Sequence, residues 1–112
     1  MISEDLHQFV LDALPSVSHL EAVLLFHTRP ERALDAAAVG SALYLVPQAA
    51  EVVLADLQRA GVLRALAGSD GPTCFGFAPA DAALARLVDE LAAAYATRLI
   101  ELTTLIHEAD DR

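Results

Sequence analysis

The stretch from Asp35 to Gly61 constrains the fold more than any other part of this sequence. Asp35 can cap a helix through Ala36-Ala37-Ala38-Val39-Gly40-Ser41-Ala42-Leu43, whose side chains are mostly small enough for close packing. A brief turn, Tyr44-Leu45-Val46, then delivers Pro47 to the first position of a second helix, where its missing N–H costs nothing. Ala50, Val53, Leu54 and Leu57 recur on one face of that helix, and Gly61 supplies the left-handed stop that lets the chain reverse. Two helices joined by a tight turn and ended by glycine need a third element to cover their apolar faces.

The flanks supply it. Ser3 followed by Glu4 and Asp5 caps a first helix carrying Leu6, Phe9, Val10 and Ala13, which Pro15 ends near Leu14. Ser18-His19-Leu20-Glu21 reads as a capping box for a second helix running to about Thr28, with Leu20, Val23, Leu24 and His27 on its apolar stripe. Arg29-Pro30 breaks it. After Gly61, Val62–Leu66 and Thr73–Phe77 are short β-prone runs around the turn-forming loop Ala67–Pro72, which predicts a hairpin. The expected core joins Leu20, Val23, Leu24, Leu34, Val39, Leu43, Ala50, Val53, Leu54, Leu57, Val62 and Leu63.

From Ala80 to about Glu108 the helical pattern meets no glycine or proline, which predicts one long helix of roughly 40 Å at about 1.5 Å per residue. Leu84, Val88, Leu91, Tyr95, Leu99, Leu102 and Ile106 form its stripe, with a period nearer a straight helix than a left-handed supercoil. Left monomeric, such a helix would expose a large apolar patch. The expectation is a homodimer in which this stripe, together with Leu6, Phe9 and Val10, is covered by a second copy; the alternative is that the helix folds back on its own domain.

Composition narrows the function classes. One domain is expected over residues 1–112, comprising an N-terminal helix (1–17), a core (18–78) and a C-terminal helix (79–112). The single cysteine, Cys74, excludes an internal disulfide framework, and its place in a strand run with Phe75 and Phe77 marks it as a small, partly buried hydrophobe. The acidic N-terminus and the want of a long apolar run predict a cytoplasmic protein. The four histidines show no helical metal-ligand spacing, and no serine lies in a nucleophile-elbow context, so neither cofactor, metal nor enzymatic activity is expected. All seven basic residues are arginine, and 16 carboxylates bring the net charge to −9, so any nucleic-acid contact has to rely on local positive patches.

The order helix, helix, short helix, turn, helix, glycine, hairpin over residues 19–78 resembles the winged helix-turn-helix domain of bacterial transcriptional regulators. The residues carrying the resemblance are Leu34 and Asp35, then Val39, Gly40 and Leu43, then Leu45-Val46-Pro47, and finally Leu57-Gln58-Arg59-Ala60-Gly61-Val62-Leu63. With helices at both ends the chain is similar to the dimeric MarR and PadR types. The resemblance implies a mainly α fold with a two-stranded β wing and a long C-terminal dimerisation helix. It also implies a DNA-binding homodimer, with Pro47, Gln48, Ala49, Val52, Arg59 and Arg64 as contact candidates.

The chain departs from that pattern. The outward face of the Pro47 helix carries Gln48, Ala49, Glu51, Val52, Ala55, Asp56 and Arg59, of which only Gln48 and Arg59 suit a base edge or a phosphate. The wing tip, Gly68–Pro72, has Asp70 and no cation. A second function class therefore stands beside the first: a winged-helix protein-interaction module that has lost DNA binding.

Overall fold

The computed structural model describes residues 2–66 and 71–110. The wing tip's central residues, including Asp70, lie outside the described residues. Among the described residues, six helices and three short strands follow in the order α1 (Glu4–Ala13), α2 (Val17–Thr28), β1 (Leu34–Asp35), α3 (Ala36–Leu43), α4 (Pro47–Arg59), β2 (Leu63–Leu66), β3 (Cys74–Phe77), α5 (Ala82–Thr97) and α6 (Leu99–Asp110). Among the described residues no single helix is long and apolar enough to cross a membrane.

Most boundaries follow from their caps. The Ser3 hydroxyl accepts the Leu6 N–H, the Asp35 carboxylate accepts the Ala38 N–H at 2.8 Å, and the Asp81 carboxylate accepts the Leu84 N–H at 2.8 Å. One cap differs from the expected one. Helix α2 starts at Val17, and Ser16, not Ser18, accepts the His19 N–H. Pro15 explains the shift: it ends α1 at once, so the first serine after it takes the cap and the axis turns by 113° between α1 and α2.

The axes of α3 and α4 meet at 107°, the arrangement of a helix-turn-helix. The expected hairpin is present, and it gains a strand. β3 pairs antiparallel with β2, placing Leu63 opposite Phe77 and Leu66 opposite Cys74, and its other edge takes β1, with Leu34 opposite Phe75. The molecule is a mainly α, winged helix-turn-helix-like domain with a small antiparallel sheet. Of the expected core, Leu20, Val23, Val39, Ala50, Val53, Leu54, Leu57, Val62 and Leu63 are buried, while Leu24, Leu34 and Leu43 pack half-buried at its edge.

The C-terminal helical segment contacts α1, but in two pieces rather than one. Arg98 leaves helical geometry at φ −139° and ψ 47°, closing α5, and α6 restarts immediately. No glycine or proline marks the break. Its gain is burial: α6 lies along α1 and hides Leu102, Leu105, Ile106 and Ala109. Threonines flank the break: Thr97 at the end of α5, and Thr103 and Thr104 in α6, each donate a hydroxyl to the carbonyl four residues back.

Two glycines are set by geometry. Gly61 sits at φ 86°, the left-handed stop after α4. Gly40 is excluded from substitution by a neighbour: a Cβ there would lie 2.6 Å from the Leu45 carbonyl oxygen. That contact is the helix-turn-helix turn itself, because the Leu45 N–H donates to the Gly40 carbonyl at 2.9 Å. Gly40→Ala is expected to lower stability by about 1–3 kcal/mol through this overlap, read as a shift of the urea midpoint; an unchanged midpoint would show the turn to be looser than drawn.

Candidate functional site

The helix-turn-helix presents its second helix outward. Ala50, Val53, Leu54 and Leu57 face the core, which leaves Gln48, Glu51 and Val52 exposed on the opposite side of α4. The turn before it is unusual. Tyr44 adopts the left-handed conformation at φ 60° and ψ 42°, a region that non-glycine residues seldom occupy, and its N–H donates to the Gly40 carbonyl. This closes α3 and throws the tyrosine ring into solvent, 96% exposed. Val46 and Val52, 64% and 60% exposed, extend an apolar surface from the turn onto α4. Sequence reasoning missed Tyr44, because nothing in a turn's composition says which way its one large side chain points.

Of the DNA-contact candidates, Pro47, Gln48, Ala49 and Val52 line this face, Ala49 half-buried and the others exposed. Arg59 is ion-paired, its guanidinium meeting the Asp56 carboxylate one turn earlier while most of its side chain stays exposed. Arg64 projects from β2 and lines a separate cleft with Pro30, Glu31, Arg32 and Phe77. The concave cleft between the starts of α3 and α4 and the wing is lined by Ala36, Ala37, Pro47, Glu51, Pro72, Thr73 and Phe75. Its charged lining residue is a carboxylate, Glu51, so the groove a phosphate backbone would enter carries the wrong sign.

Asp56 was read from the sequence as an outward residue, and the structure turns it back. Its Oδ2 lies 2.9 Å from Nε2 of His19, a buried residue on α2, whose Nδ1 lies 2.6 Å from the Ser16 hydroxyl. The neutral imidazole with its proton on Nε2 satisfies every atom: Nε2–H donates to Asp56, Ser16 O–H donates to Nδ1, and the serine oxygen still accepts the His19 backbone N–H. The set ties the start of α2 to α4, and it holds the carboxylate that pairs with Arg59. His27, on the apolar stripe of α2, is half-buried. It reaches Asp89 on α5 at 2.8 Å and meets Phe77 edge-on at 5.9 Å.

The dimerisation candidates are distributed differently from the expectation. Leu6, Phe9, Val10, Val88, Leu91, Leu102 and Ile106 are buried by their own chain, because the break at Arg98 brings α6 onto α1. Leu84 is half-buried, and Tyr95 and Leu99 remain exposed, at 39% and 50%. Ile100, which the stripe did not include, is 84% exposed. The cysteine is half-buried on β3. Among the described residues, no three histidine, cysteine or acidic side chains are placed to hold a metal ion together.

No protein-family model, no curated protein and no solved structure matches this chain.

Proposed function

We propose that this chain is a regulator-type winged-helix module whose helix-turn-helix face binds a protein partner. One observation carries the reading: the outward face of α4 and its turn join Tyr44, Val46 and Val52 with Glu51, while the nearby Arg59 is paired with Asp56. Exposed aromatic and branched side chains around a carboxylate suit an apolar protein surface with a basic rim better than a phosphate backbone. The net charge of −9 acts in the same direction at long range. Self-association, the expectation from the C-terminal stripe, would draw on Tyr95, Leu99 and Ile100, the part of that region its own chain leaves uncovered.

Sequence-nonspecific or operator binding to duplex DNA is the second reading. It is favoured by the outward α4 with Gln48 in its first turn, in a fold type often associated with DNA binding. A photo-crosslinking residue at Tyr44 or Val52, introduced in the source cells, distinguishes the two. The expected product is an adduct of one discrete protein, lost when Val52→Glu is added to the Tyr44 crosslinker. Tyr44→Ala is expected to cost about 2 kcal/mol of partner affinity if it is a central anchor. Crosslinks to nucleic acid alone would overturn the protein reading.

A further inference from the structure

We propose that the recess between the end of α2, the loop that follows it and α3 is a binding site for a short-chain aliphatic monocarboxylate. The recess has a volume of about 290 Å³, the small end of the range for ligand pockets. Leu25, Leu34, Ala38 and Ala42 give it aliphatic walls, and Arg29 and Arg32 stand at its charged side. Among the described residues only Arg59 and Arg98 are ion-paired arginines, and of the four others Arg29 and Arg32 are the two that meet at this apolar recess. Carboxylates outnumber arginines by 16 to seven, yet neither Arg29 nor Arg32 has an ion-pair partner among the described residues.

Of the neighbouring acids, Asp35 is engaged in capping α3 through the Ala38 N–H, and Glu31 makes no ion pair with either arginine but lines the adjacent cleft that Arg32 and Arg64 share. The backbone holds the two arginines near each other, since the Arg32 N–H donates to the Arg29 carbonyl at 3.1 Å. An apolar recess with two unpaired guanidinium groups fits a ligand with an aliphatic body and one anionic end, whose carboxylate takes forked, charge-assisted bonds. The absence of aromatic residues from its lining, and its size, select a short alkyl chain. This site is independent of what the helix-turn-helix face binds.

The test is an amide NMR titration of the whole chain with hexanoate, hexylammonium and 1-hexanol. Hexanoate is expected to give saturable shifts at Leu25, Ala38 and Ala42, and hexylammonium none. Arg29→Gln with Arg32→Gln should weaken hexanoate by about tenfold or more, and Ala42→Phe should abolish the shifts by filling the recess. All three positions are exposed, so these variants are expected to keep the wild-type melting temperature. Equal binding of hexylammonium, full retention in the double arginine variant, or no saturable shift by about 10 mM hexanoate would overturn the proposal.

Discussion

Leu91→Glu combined with Leu102→Glu is expected to unfold this protein, not to release a folded monomer. Read as positions on an exposed seam, both residues would be places to disrupt a dimer. In the structure each is fully buried within one chain, where α5 and α6 pack with α1. Placing a carboxylate there without a partner costs several kcal/mol per ion, or forces protonation at a comparable cost. Two such penalties approach the whole stability of a domain of this size, about 5–15 kcal/mol. Loss of far-ultraviolet circular dichroism and of a cooperative melt is the expected result, and a well-folded variant with the wild-type melting temperature would refute the fold-back of α6. Leu99→Glu, at a half-exposed position, is expected to leave the fold intact.

Phe26→Ala is expected to destabilise the molecule by about 3–5 kcal/mol. Phe26 is the largest of the fully buried side chains, and it lies on α2, which touches α3, α4, α5 and β3. Its removal leaves a cavity at the meeting point of the helix-turn-helix and the C-terminal layer, which a rigid core fills only in part. Denaturant titration reads the effect as a fall in midpoint with little change in slope. A loss under about 1 kcal/mol would show that the neighbouring helices collapse into the space.

What the sequence made legible is what local chemistry specifies. Asp35 as a cap, Pro47 at a first helical position, the inward set Ala50, Val53, Leu54 and Leu57, and Gly61 as a stop each follow from a short-range rule, and each is in place. The break at Arg98 was not legible, because it arises from the burial α6 gains against α1, a contact between residues far apart in sequence. The same holds for the tie between His19 and Asp56, 37 residues apart. Its local half is carried by Ser16 and His19, which stand at cap spacing, but Ser18 and Glu21 offer a competing capping-box pattern three residues apart. For the candidate site, the outward positions of Gln48 and Val52 were readable from helical period. The pairing of Arg59 with Asp56 follows from i, i+3 spacing that the sequence itself carries.

Fluorescence anisotropy with labelled duplex DNA tests the central claim most directly. At low salt the wild-type chain is expected to show no saturable binding at concentrations of about 10⁻⁵ M, inside the range where ordinary non-specific binders already associate. Glu51→Arg combined with Asp56→Asn is expected to gain DNA binding that falls steeply with added salt. The first change reverses the charge in the cleft, and the second frees Arg59 while an amide oxygen still accepts from His19. Sub-micromolar binding of duplex DNA by the unaltered chain would contradict the account.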